Sequence, residues 1–508
     1  MKCSAGIIRQ IKPHHIQFCL LLIFLLFTMF SPQPAPAQDS SSYQLFLPLI
    51  LKDLNSANPA INSITTNLAD YPDRRVPRYE KFELTFEVDT TAENLQLPYD
   101  PVPPPGLKPG MGITVNALFS PDSWQTVYTQ PAFYYQDFEY EIKGGKEWLY
   151  PTDDFTWKVR FAPNRIGNWQ YKLIAQDASG RTETSPQIFT VATSNNKGFV
   201  KVSQNDARYF EYDNGAYFPS LGYNMNVDHV SWVNSRLDNE ENFQIMSHNG
   251  IQLIRIWLSQ WAIYGSEWNP WLPQNPLLHN QYYTHTGITF EDAVPESEVS
   301  MKLEWDSSPC MLIGLFKARP AVKQNTDYHI RIRYKTTGIT GPRVSRYPYG
   351  FVAKTGGWLW GESNYCYDPG VGTVVTPHQN QNTPGWKILE GSINTGNNDF
   401  LSNFFLVLEN VEAGTVYVDY VWIQEELGPS QYGPNIVSKP WMAHHLYIEQ
   451  RNSYAFDKVL DLAKQYDIYL RPVIHEKNEW IFNHINDQGN PIPFDPRCWD
   501  DEPMNDPQ

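Results

Sequence analysis

Asn224, Arg255, His475 and Glu476 stand at or near the ends of three short apolar runs, LGYN, LIRIW and RPVIHE. They offer an amide, a guanidinium, an imidazole and a carboxylate, a set that can bind sugar hydroxyls or orient a general acid or base. Arg255 is a charge within an apolar run, and burying it unpaired would cost several kcal/mol, so a partner is expected. Its partner is either a carboxylate at a site or a structural ion pair. Asn478-Glu479 supplies a further carboxylate four residues past the third run, with no helix between, so a solvated loop group is the favoured reading. His475 and Glu476 fit a sugar-binding rim and an ordinary hydrogen-bonded pair equally. Asn224 could offer its amide to substrate or satisfy a loop backbone. Four indoles, Trp257, Trp261, Trp268 and Trp271, follow the second run. An indole face can stack on the C–H face of a pyranose, although packing against a neighbouring domain would use the same residues. Trp358, Trp360, Tyr365 and Tyr367 alternate in pairs, which in a strand puts alternate members on one face. They suit a sugar platform or a sandwich core.

The elements that must hold these residues alternate between strand and helix. Residues 208–226 read as a hairpin turning at Asn214-Gly215, then a strand over 217–224. A weakly amphipathic helix over 234–248, with Leu237, Phe243 and Met246, stops at Asn249-Gly250, and a strand over 251–258 follows. Its near-continuous Ile and Leu fit a strand covered on both faces. Later, Phe456, Val459, Leu460 and Ala463 make one apolar stripe over a helix at 452–466, capped by Asn452 or Ser453, before a strand over 468–474. This rhythm is that of a parallel α/β fold. It is interrupted from 287 to 424 by β patterning, read as a domain inserted over 280–425, since a loop tolerates a guest whose ends lie close together. A separate tandem domain is the alternative. Earlier in the chain, short alternating strands between Pro/Gly turns over 60–195 predict a β-sandwich.

Composition sets the context. Residues 1–37 have Lys2, Arg9 and Lys12 before an apolar run and end at Ala35-Pro36-Ala37, the pattern of a signal peptide. Residues 38–59 read as a linker. Export would leave three of the five cysteines, Cys310, Cys366 and Cys498. Cys310 and Cys366 could pair, and a buried free thiol is the alternative. No Cys/His spacing of the zinc type occurs, so no metal site is expected. The net charge is −16, more negative once the signal's three basic residues leave, which disfavours nucleic acid as a partner. An aromatic share of 14% makes a saccharide partner the better expectation.

The segments LGYN, NGIQLIRIWL and AKQYDIYLRPVIHE resemble strands one, two and three of the cellulase-like glycoside hydrolases with (β/α)8 TIM barrels. RFAPNRIGNWQY resembles the immunoglobulin-like (Ig-like) module that precedes many such bacterial barrels, while TDYHIRIRYKTTG and GTVYVDYVWI resemble strands of jelly-roll carbohydrate-binding modules. The resemblance implies barrel strands one and two within 199–275 and strand three within 426–508. It also implies a retaining, polysaccharide-directed hydrolase, secreted or at the cell surface. In that superfamily an arginine at the position of Arg255 hydrogen-bonds the catalytic carboxylates. The acid/base Glu follows strand four and the nucleophile ends strand seven, ~5–5.5 Å apart in retaining enzymes. Neither strand is expected before Gln508, so the chain is read as an N-terminal fragment with no catalytic residue of its own. A non-catalytic polysaccharide-binding surface protein is the alternative. No cofactor is expected, a structural calcium in the jelly roll stays open, no membrane contact is expected beyond the signal segment, and the oligomeric state is open.

Overall fold

The computed structural model describes residues 58–103, 108–224, 236–257, 286–289, 300–304, 310–315, 320–356, 372–401, 404–437 and 448–473. These are mostly β-sheet with two α-helices. The first unit is a sandwich of two sheets. One runs in the order Ala60–Thr66, Phe82–Asp89, Lys146–Phe161, Phe133–Lys143. The other runs Val76–Pro77, Gln187–Ala192, Gly167–Asp177, Thr114–Ser120, Tyr128–Pro131, with Gly180–Glu183 paired to Gly167–Asp177. Period-two alternation explains which residues enter the core. Phe82, Leu84 and Phe86 point inward from one sheet, and Val115, Ala117, Phe119, Trp169, Tyr171 and Leu173 meet them from the other.

The second unit, within the span expected for an inserted domain, is also a two-sheet antiparallel sandwich. Thr286–Thr289, Ser300–Glu304, Ala413–Gly428, Asp327–Thr340 and Lys387–Asn394 form one sheet, and Cys310–Leu315, Phe404–Glu409, Gly350–Thr355 and Thr373–Val374 the other. A strand at Gln431–Asn435 pairs with Ala413–Gly428, so the sheet runs past residue 425, where the sequence placed its end. The core takes Tyr328, Ile330 and Ile332 from one sheet and Phe404, Leu406 and Leu408 from the other.

The two sandwiches interlock. Trp148 and Tyr150 sit on Lys146–Phe161 of the first but are buried in the core of the second. The Trp148 indole N–H donates to the carbonyls of Val322 (3.0 Å) and Asp399 (3.1 Å). Tyr150 accepts from the Tyr328 hydroxyl at 3.3 Å and donates to Glu425 at 3.1 Å.

Between the two spans of the α/β rhythm, Gly222–Asn224, Leu253–Trp257 and Tyr469–Val473 form a three-stranded parallel sheet. Helix α1 (Leu237–His248) connects the first two strands and helix α2 (Gln450–Gln465) precedes the third. Phe243 of α1 and Val459, Leu462 and Ala463 of α2 bury Ile254 and Ile256. Three local details depart from the sequence reading. The expected strand over 217–224 is two elements: Tyr217–Phe218 pairs antiparallel with Phe210–Tyr212, and the parallel strand begins only at Gly222. Pro219, which has no N–H to give a ladder, lies between them. Helix α2 starts at Gln450 rather than at residue 452, and its N-cap is Glu449, whose carboxylate accepts the Arg451 N–H at 3.1 Å. Leu460 is 41% exposed, and Leu462 takes the inward position expected of it. Three parallel strands and two helices do not make a closed barrel, and none is present among the described residues.

The first sandwich braces both helices. The buried Glu147 carboxylate accepts the N–H groups of Arg236 and Leu237, each at 2.9 Å, capping α1 from another domain. Arg160 holds Asp457 of α2 through two hydrogen bonds, 2.7 and 2.8 Å, and Tyr135 donates to the same carboxylate at 3.0 Å.

Candidate functional site

In the parallel sheet Asn224 is in register with Arg255, and Arg255 with Arg471. Neighbouring strands lie ~4.8 Å apart and paired residues share a face, so the three form a polar row across the sheet. Alternation puts that row on the face opposite Ile254 and Ile256, away from the helices. Asn224 and Arg471 are exposed and Arg255 is half-buried. One end of the same sheet is closed by aromatic packing. Tyr469 meets Tyr212 at 5.7 Å and Phe218 at 5.5 Å between ring centroids, both from the antiparallel sheet Val200–Val202, Phe210–Tyr212, Tyr217–Phe218. Tyr469 lies two residues before Arg471, so the polar row stands on the carboxyl-end side of this floor, at the last residue of the first strand and the middle of the other two. Arg471 was not singled out in the sequence, although it is a charge inside an apolar run just as Arg255 is.

Trp257 ends its strand opposite Val473. The remaining sequence candidates, Trp261, Trp268, Trp271, Trp358, Trp360, Tyr365, Tyr367, His475, Glu476, Asn478 and Glu479, lie outside the described residues, as do residues 1–37, Cys366 and Cys498. Among the described residues no group of three His, Cys, Asp or Glu could hold a metal ion, and no helix is long and apolar enough to cross a membrane.

A second concavity had no counterpart in the sequence. Where the two sandwiches and the start of α2 meet, a cavity of about 490 Å³ is lined by Tyr134, Gln136 and Phe155 of the first sandwich, Tyr420 and Trp422 of the second, and Gln450 of the helix, among others. Tyr420 and Trp422 pack at 4.5 Å between centroids, and the guanidinium groups of Arg331 and Arg333 lie 5.3 and 5.6 Å from the Trp422 ring. Arg333 is fixed in turn by an ion pair with the buried Asp419. Burial pushes the Tyr420 hydroxyl well above the usual phenol range, so it is neutral and accepts the Asn435 amide N–H at 3.2 Å.

No protein-family model and no curated protein matches the chain. Solved structures with partial likeness include a chain from Bacteroides vulgatus whose assignment as a glycoside hydrolase is provisional, 18% identical, with a TM-score of 0.24. The match takes in 46% of this chain and 35% of that one, so this chain spans about a third of its length. A family 16 carbohydrate-binding module is 16% identical over 28% of this chain and 88% of its own, TM-score 0.19. A tandem pair of family 22 carbohydrate-binding modules from Paenibacillus barcinonensis is 10% identical over 73% and 92%, TM-score 0.22. Scores this low do not establish a shared fold or activity, and the chain is assigned to no family on their account.

Proposed function

We propose that this chain is part of an exported, polysaccharide-directed glycoside hydrolase whose (β/α)8 barrel begins with the three parallel strands and whose two sandwiches are accessory modules. The observation that carries the reading is the polar row Asn224, Arg255, Arg471, on the helix-free face of a parallel sheet and on the carboxyl-end side of an aromatic floor. Enzymes built on parallel barrels place their sites on that side. There the Arg255 guanidinium would orient a catalytic carboxylate and hold it ionised, and the Asn224 amide would take a sugar hydroxyl. In double displacement one carboxyl protonates the leaving oxygen while the other attacks the anomeric carbon. Neither carboxyl is among the residues assigned here, and the row supplies orientation rather than proton transfer.

The test is retention of the full chain on a panel of plant and microbial polysaccharides in affinity electrophoresis. At least one polysaccharide should retard the protein, and Asn224→Ala and Arg255→Ala, each with an unchanged melting temperature, should weaken retardation about tenfold, the loss of one hydrogen bond to a charged or buried partner. Retardation by none removes polysaccharide from the reading. Retardation that both substitutions leave intact moves binding to the sandwiches, as in a non-catalytic polysaccharide-binding surface protein.

A further inference from the structure

We infer that the cavity between the two sandwiches is a binding site for an uncharged oligosaccharide, distinct from the polar row of the parallel sheet. Each sandwich contributes one aromatic pair. Tyr134 and Phe155 of the first are stacked at 5.6 Å with an interplanar angle of 18°, and Tyr420 and Trp422 of the second are in contact at 4.5 Å. Phe155 is 41% exposed, an apolar ring presented to solvent with no core to fill. Between the pairs, the Gln136 backbone N–H donates to Gln450 Oε1 at 2.9 Å, and Gln136 Nε2 donates to the Thr152 carbonyl at 3.0 Å. These bonds fix both amides in the cavity wall. Among the described residues Gln136 Oε1 and Gln450 Nε2 have no hydrogen-bond partner, and neither has the Trp422 indole N–H. The wall thus holds one acceptor and two donors without partners beside its aromatic residues.

That is the chemistry of a pyranose, which has C–H faces for the rings and a hydroxyl edge that both donates and accepts. A volume of about 490 Å³ lies within the ~300–1,000 Å³ of small-molecule sites and suits a ligand of disaccharide size. The charged residues of its lining are Glu93, Asp153 and Arg451, and Glu93 is paired with Lys108 at 2.7 Å. A wall with two carboxylates and one guanidinium gives no cationic surplus that would select a uronate or phosphate. The walls are also rigid, because Trp148 and Tyr150 lock the sandwiches together, and a preformed cleft loses little entropy on binding. The inference rests on the polysaccharide reading only for the class of chain from which such a ligand would come.

The experiment is calorimetric titration of the full chain with neutral di- to tetrasaccharides of β-glucan, xylan and mannan type, and with oligogalacturonates as the charged arm. A neutral oligosaccharide should bind, with affinity lowered at least tenfold by Phe155→Ala and by Gln450→Ala and left unchanged by Ile188→Ala, an exposed position on the first sandwich's other sheet and outside the cavity lining. Phe155 is exposed enough that its loss should not threaten folding, and Gln136→Trp, which fills the cavity, should abolish binding. Neutral-sugar affinity that survives all three junction substitutions overturns the inference, and its loss with Asn224→Ala instead would leave the proposed function standing while removing this site. Binding of oligogalacturonates alone, or of no oligosaccharide, also overturns it.

Discussion

Removing Trp148 should uncouple the two sandwiches. The side chain is 2% exposed, belongs by sequence to the first sandwich and by packing to the second, and stacks on Tyr150 at 5.2 Å with an interplanar angle of 12°. Truncating a buried tryptophan to alanine costs ~3–5 kcal/mol in lost transfer and residual cavity. The carbonyls of Val322 and Asp399 also lose their shared donor, adding roughly 1–3 kcal/mol if water does not replace it. The Lys143 ammonium, 3.2 Å from the ring centroid, loses its aromatic surface as well. A loss on the order of 5 kcal/mol follows, comparable to the lower end of a whole domain's stability. Urea unfolding followed by circular dichroism, together with calorimetry, is the assay. The native chain should unfold both sandwiches in one transition, and Trp148→Ala should split it in two with the second sandwich melting first. Trp148→Phe keeps most of the ring, loses only the donor, and should cost ~1–3 kcal/mol without splitting the transition. Two independent transitions in the native chain, or a shift below ~1 kcal/mol for Trp148→Ala, would refute the interlock.

Asp457→Ala leaves Arg160 with Glu83 alone and removes three hydrogen bonds that tie α2 to the first sandwich. With both side chains partly exposed the cost should be about 2 kcal/mol, below the full penalty for a buried pair, and limited proteolysis should cut first in α2. Glu147→Gln keeps an acceptor for the first N–H groups of α1, whereas Glu147→Ala leaves them unmet, so hydrogen exchange at Arg236 and Leu237 should speed up only in the alanine variant. Burial holds the Glu147 carboxyl above the usual range against those donors. Its contribution is therefore full below the unfolded value of ~4.3, lost as pH rises through the folded one, and absent in Glu147→Gln. At Asp177 burial also opposes the charge, but hydrogen bonds from Ser179, Thr90 and the Thr91 backbone outweigh it and hold the carboxyl below the usual range. That stability is present above ~3.9 and lost as pH falls through the folded value, so the urea midpoint should drop on acidification less steeply in Asp177→Asn than in the native chain.

The sequence by itself determined the local elements. Period-two alternation set the inward residues of Phe82–Asp89 and Asp327–Thr340, and Asn249-Gly250 marked the end of α1, because each is decided by neighbours a few residues away. The charge of Arg255 within an apolar run marked a site candidate for the same reason. Periodicity says which face of an element is apolar but not which surface covers it. Trp148 looks like any core residue of its own sandwich until Val322, 174 positions on, is seen to accept its N–H. Glu147 looks like a strand-edge carboxylate until it caps a helix 90 residues later, and Gln136 meets Gln450 across 314. The level shared by Arg255 and Arg471 depends on strand register, and the cavity with its two aromatic pairs exists only where three packed surfaces meet. Those placements are long-range, fixed by shape and hydrogen-bond complementarity between surfaces that no local pattern encodes.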